Sequence, residues 1–282
     1  MSYPAKYPNY KGNSCAILSP EDREKLWSAA CILIDQRGLV VRITSLLGGV
    51  VEQIGGAAAG FGDKILGEGW RDQIQGLAEE ALWKGHDIAT LGLDPQGERE
   101  PWSWFNKAIA SITGAAGGFF GAPGMAIDIP ASTLMIMRSV AEIARAHGED
   151  ISSDDGKRAC LEVLAFGGPG EEDDEIEVGY WSTRAVLAHT AIEIIIKRIA
   201  ARLVVPLSEK ALAQAVPIAG SIAGGGLNYI FMDYYQEMAR VHFTIRSLER
   251  KYGDDEDGSV RACFDQLVRQ ARERRNPQRS EI

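Results

Sequence analysis

Asp128 has the setting that most invites a chemical role. It stands among Met125, Ala126, Ile127 and Ile129, and an ionised carboxylate in apolar surroundings must be paired, must cap a helix or must take up a proton. The structural readings are a cap on a helix opened by Pro130, or a bond to a neighbouring arginine. The functional reading is a polar working centre. Asn228 has the same character at the end of a glycine run that begins at Gly224, with a smaller desolvation cost. His242 shares a helical stretch with Arg246 and Glu249, and Arg184 lies shortly before the Ala/Ile-rich stretch that holds His189. Asp128, Asn228, Arg184 and His242 are therefore the candidates for a polar core or ligand site. A hydrolase-type enzyme, the rival reading, would need all four brought together from separate helices.

Familiar catalytic signatures are missing. There is no Gly-x-Ser-x-Gly elbow, no phosphate-binding glycine loop of the Walker or Gly-x-Gly-x-x-Gly type, and no cysteine with an obvious histidine partner. None of the four histidines has a second ligand at His-x-x-x-His spacing, so no metal is expected. The acidic run from Glu171 to Glu177 lacks the spacing of a calcium loop and reads as solvated. No catalytic residue can be assigned, and no cofactor is expected.

The elements that must position these residues are helical. With 282 residues, 45% of them hydrophobic and 24% charged, the chain has a globular composition. A net charge of −9 argues against nucleic acid as a partner, because duplex affinity rests on lysine and arginine neutralising phosphates. Ser19-Pro20-Glu21-Asp22 is an N-cap followed by proline and acids, which predicts a helix to about Asp35. Helical spacing recurs from about Trp70 to Ile88, after the cap Ser153, from Ser182 to Val205 with Pro206 as its stop, and from about Val260 to Arg274. No alternating strand pattern competes with these. The fold class expected is all-α, a single helical domain with buried glycine-rich helices.

Three glycine-rich apolar segments stand out, Ile43 to Gly62, Ala108 to Met137 and Ala211 to Met232. Gly117/Gly121 and Gly220/Gly224 are spaced one turn apart, as where two helix backbones approach closely. Pro123, Pro130 and Pro217 should interrupt these segments, so simple membrane spans are not expected. A core that also touches a membrane is. The C-terminal helix adds arginines beside an apolar stripe and could lie on anionic lipid or pack on the domain. Cys15, Cys31, Cys160 and Cys263 stand far apart without a Cys-x-x-Cys pair, so a disulfide framework is not expected. No apolar signal core follows the first lysines, which points to the cytoplasm.

A weak internal echo relates the two halves: Gly124 to Asp128 resembles Gly224 to Asn228, and each leads towards an Arg-Ser pair and a glycine followed by acids. The stretch Val216-Pro217-Ile218-Ala219-Gly220, Gly225-Gly226-Leu227-Asn228, Phe231-Met232-Asp233 and Ala239 to Gly253 resembles the C-terminal signature of the EcsC family. Gly121 to Asp128, Ala146 to Asp150 and Gly179-Tyr180-Trp181-Ser182-Thr183-Arg184 follow in the family's order. The resemblance implies a bacterial, mostly helical protein, membrane- or lipid-associated in some members, and brings no catalytic residues with it. The expected organisation is an extended arm over 1–18, an EcsC-like domain over 19–257 and an amphipathic basic helix and tail over 258–282. The expected partners are a membrane lipid surface or an apolar ligand, with room for a protein partner, at a cytoplasmic site peripheral to the inner membrane.

Overall fold

A computed structural model describes residues 15–35, 69–88, 122–166, 176–214, 219–253 and 259–275. Among these every regular element is α-helical: α1 (Pro20–Asp35), α2 (Trp70–Ile88), α3 (Ala122–Ala146), α4 (Asp154–Ala165), α5 (Ile176–Ala188), α6 (Ile192–Gln214), α7 (Ala219–Tyr252) and α8 (Ser259–Arg275). The protein is all-α, a single helical domain. At 34 residues, α7 extends about 50 Å and serves as the axis. Helices α1, α3, α4, α6 and α8 all pack on it, while α2 closes against α3 and α6.

Local chemistry sets the helix ends. Ser19 Oγ accepts the Asp22 N–H at 3.2 Å and Ser153 Oγ accepts the Gly156 N–H at 3.0 Å, each satisfying a donor that the first turn leaves open. The two long helices α3 and α7 are followed by Gly148 (φ 78°) and Gly253 (φ 87°), a left-handed stop that a Cβ would penalise. The close approach of α2 to α3 occurs at Gly85, where a Cβ would lie 2.4 Å from Met137 Sδ.

Several sequence expectations are corrected. Pro130 does not open a helix; it sits inside α3. There the Ser132 hydroxyl donates to Asp128 O (2.7 Å) and Thr133 to Ile129 O (2.8 Å), while Ile129 is buried. The single helix expected from Ser182 to Val205 is two, parted at 189–191. Thr190 turns its hydroxyl back to Val186 O (2.6 Å), and Arg158 takes up Leu187 O and Thr190 O at 3.1 and 2.6 Å. Nor does Pro206 end α6, which continues to Gln214 with Leu203 and Leu207 buried on either side of the proline. The apolar stripe of α8 (Val260, Cys263, Phe264, Leu267, Val268, Ala271) is turned inward against α1 and α7 and so is not free to face lipid. The segment 43–62 and the pair Gly117/Gly121 lie outside the described residues, as do the surroundings of Gly220 and Gly224 on the first two turns of α7.

A disulfide was not expected, yet Cys15 and Cys263 form one across a sequence separation of 248. Long-range packing brings together cysteines that no local spacing relates. Both are buried, as is Leu18 beside the bridge. The same corner holds Asp22, 3% exposed, which accepts from Ser19 Oγ (2.8 Å), Lys251 Nζ (2.6 Å) and Tyr252 O–H (2.6 Å). Lys251, and then Tyr252, hold the Asp22 carboxyl well below the usual aspartate range.

Cys15→Ser should lower stability by several kcal/mol, up to about 5 in the chain-entropy treatment of so long a loop, read as a drop in melting temperature that reductant reproduces in the wild type. Because the folded state depresses the pKa of Asp22, its contribution is present at neutral pH and is lost as pH falls below the ordinary value of 3.8. Asp22→Asn should therefore be less stable at pH 7 and show a shallower decline below about pH 4 in urea titrations at stepped pH.

Candidate functional site

Polar contacts from α3 and the turn that follows it to α7 run in register. Asn228 Nδ2 donates to Asp128 Oδ1 at 3.0 Å, Gln236 Nε2 to Ser139 Oγ at 2.7 Å, and Arg246 Nε to Glu149 Oε1 at 2.7 Å. Residue numbers rise together on both helices, so the two are parallel. Asp128, Ser139, Asn228 and Gln236 are at most 2% exposed, a placement tolerable only when such groups are bonded. At the C-terminal end Glu149 also receives Arg250 Nη1, and Arg246 reaches Asp155 of α4 at 2.7 Å.

The structure thus brings Asp128 and Asn228 together but holds Arg184 and His242 elsewhere. His242 lies fourteen residues beyond Asn228 on α7, about 21 Å along the axis. Its ring is fully buried, and its Nδ1 is hydrogen-bonded to the Tyr180 hydroxyl at 3.2 Å. Its other ring nitrogen, Nε2, faces Glu162 Oε2 at 3.5 Å. Neither of those two atoms has a hydrogen bond of normal geometry. Burial, with the Arg184 and Arg246 charges, pushes His242 well below its ordinary pKa, and burial raises the Glu162 carboxyl and the Tyr180 phenol. The order Tyr–His–Glu resembles a nucleophile, base and orienting acid. However, Phe166 and Phe243 pack on the imidazole, and Phe264 on Tyr180; all three members are 4% exposed or less.

What the cluster does is fasten α5. Arg184 makes a two-pronged bond to Glu249 of α7 (2.8 and 2.5 Å). Trp181 Nε1 donates to Asp265 of α8 at 2.7 Å, and the Arg184 and Arg261 guanidinium groups lie 5.5 and 4.8 Å from the centre of the Trp181 ring. With its inner face so held, α5 presents its outer face to a groove against α6.

That groove encloses about 450 Å³. Ala165, Val186, Leu187 and Ala201 supply its apolar lining. Ser182 and Thr183 offer hydroxyls from α5, and Arg198 and Arg202 stand one turn apart on α6. Arg202 donates to Ala165 O at the end of α4. Val186 (51% exposed) belongs to the groove, and Ile194 (48%) precedes Arg198 by one turn. Among the described residues no group of three or more metal-ligating side chains gathers, and no helix is long and apolar enough to cross a membrane.

The family model described as the EcsC protein family matches residues 96–248, more than half of the chain. The chain belongs to the EcsC family. The EcsC match takes in α3 to α6 and most of α7, hence the parallel pair, the fastening of α5 as far as His242, and the groove. Glu249 and the helices α1, α2 and α8 fall outside it. No curated protein and no solved structure matches the chain.

Sequence reasoning missed Glu162, Tyr180, Trp181, Arg198 and Arg202 as members of these clusters. Glu162 carried a signal, since it interrupts the inward face that Cys160, Val163 and Leu164 define on α4. Arg198 and Arg202 carried none, because arginines four apart on a helix ordinarily mark a solvated face. Glu249→Leu should leave Arg184 without its carboxylate and cost about 2–3 kcal/mol. Hydrogen exchange should show lost protection in α5 with α3 and the middle of α7 unchanged.

Proposed function

We propose that this EcsC-family protein is a membrane-peripheral binding protein that takes up lipid or another apolar molecule. The observation that carries this reading is the groove between α5 and α6, whose lining includes Ala165, Leu187, Ala201 and the exposed Val186. Concave sites lined mainly by apolar side chains with a few placed polar groups are typical of ligand sites. Attachment at the surface also agrees with the lack of a spanning helix among the described residues. A buried disulfide is at home in an oxidising compartment, so the proposal requires a bilayer face and does not specify which side. The hydrolase reading gains no support, because Asn228 and His242 stand about 21 Å apart along α7 and the Tyr180–His242–Glu162 group is closed to substrate.

The test is flotation with liposomes. The protein should rise with anionic vesicles, high salt should reduce the yield, and Ile194→Glu should lower it several-fold while melting stays unchanged, because Ile194 is exposed. Failure to float with any lipid mixture would end the proposal.

A further inference from the structure

We infer that the α5–α6 groove binds a single-chain anionic amphiphile as a monomer, with its carboxylate or phosphate on Arg198 and its chain along the apolar floor. The inference rests on the binding role proposed above and names the ligand class. Charge is the first argument. The chain carries −9 overall, yet the described lining of this groove has two guanidinium groups and no acid. A positive spot on an acidic protein favours an anion and disfavours a zwitterion or a cation. Geometry is the second. Arg202 already spends a donor on Ala165 O, which anchors it against the end of α4, whereas Arg198, four residues earlier on the same face, is exposed and makes no ion pair within the described structure. Guanidinium donors on α6 opposite the Ser182 and Thr183 hydroxyls on α5 form the mixed donor set that suits an oxyanion.

Size is the third argument. A cavity of about 450 Å³ lies towards the low end of the ~300–1,000 Å³ occupied by drug-sized ligands, room for one extended chain and not for the paired chains of a bilayer phospholipid. The floor residues are small or branched aliphatics (Ala165, Val186, Leu187, Ala201), which offer a chain dispersion contacts without a competing polar partner.

The probes are laurate below its micelle concentration, dodecanol with the same chain and no charge, and inorganic phosphate alone, each titrated calorimetrically into the full chain. Laurate should bind at one per protein, dodecanol about tenfold or more weakly, and phosphate undetectably, since a charge-assisted hydrogen bond and the chain each contribute. Arg198→Glu should weaken laurate about tenfold or more and leave dodecanol unchanged. Ala201→Trp, which fills the floor, should abolish both. Melting curves verify that each variant is folded, and Arg198→Ala replaces Arg198→Glu if the latter is not. Equal affinity for laurate and dodecanol, or laurate binding indifferent to both Arg198 variants, overturns the inference. Vesicle flotation without laurate binding overturns it while leaving peripheral membrane binding standing; loss of both overturns both.

Discussion

Parallel packing of α3 on α7 is the constraint from which the rest of the arrangement follows. Two parallel helices cannot be joined by a tight turn, so α4, α5 and α6 form the long return path and necessarily lie beside the pair. The pair itself is kept in register by buried polar bonds at two levels, Asp128–Asn228 and Ser139–Gln236, and by the half-buried Glu149–Arg246 pair just past the end of α3. An apolar seam would tolerate sliding by a turn. A seam with bonded polar groups would strand each of them at a cost of about 1–3 kcal/mol per group, so one alignment is strongly preferred.

Helix α5 has a different kind of attachment. Among its described residues only Tyr180 and Leu187 are buried apolar anchors; the remainder of its hold is directional, through Arg184, Trp181 and the Arg158 bonds to Leu187 O and Thr190 O. Elements attached by few apolar contacts open at lower free energy than the core they cover. A groove wall built this way can adjust to an occupant while α7, which contributes buried residues from Leu227 to Leu248, stays still. The fully buried Tyr180–His242–Glu162 group sits at the joint between the two, which explains why side chains of catalytic type occur where no substrate can reach them.

Helices α1 and α8 lie outside the span that the EcsC match covers, and they are joined to the rest by unlike means. The Cys15–Cys263 bridge ties the approach to α1 onto α8, while Asp22 collects Lys251 and Tyr252 from the end of α7. The arginines of α8 are partly engaged by the protein's own tryptophans, Arg261 on Trp181 and Arg274 on Trp27. A basic helix whose apolar stripe is covered and two of whose arginines stack on indole rings acts as a brace across α1 and α5.

Much of the fold was legible in the residues alone. The caps Ser19 and Ser153, the periodic stripes of α1, α2 and α8, and the family signature as far as Leu248 are local patterns, and helix formation is largely decided by local hydrogen bonding and by which face is apolar. The echo between Gly124–Asp128 and Gly224–Asn228 even marked two residues that bond to each other. Proline misled at Pro130 and Pro206, because burial of flanking residues outweighed a lost backbone bond. Tertiary structure alone decided the partners: Cys15 with Cys263, Arg184 with Glu249 and not with Asp128, His242 with Tyr180 and Glu162, and Arg198 and Arg202 at an apolar groove. These pairings join residues tens to hundreds of positions apart, and which of them form depends on how whole helices stack, a property of the packed core that no spacing within one helix encodes.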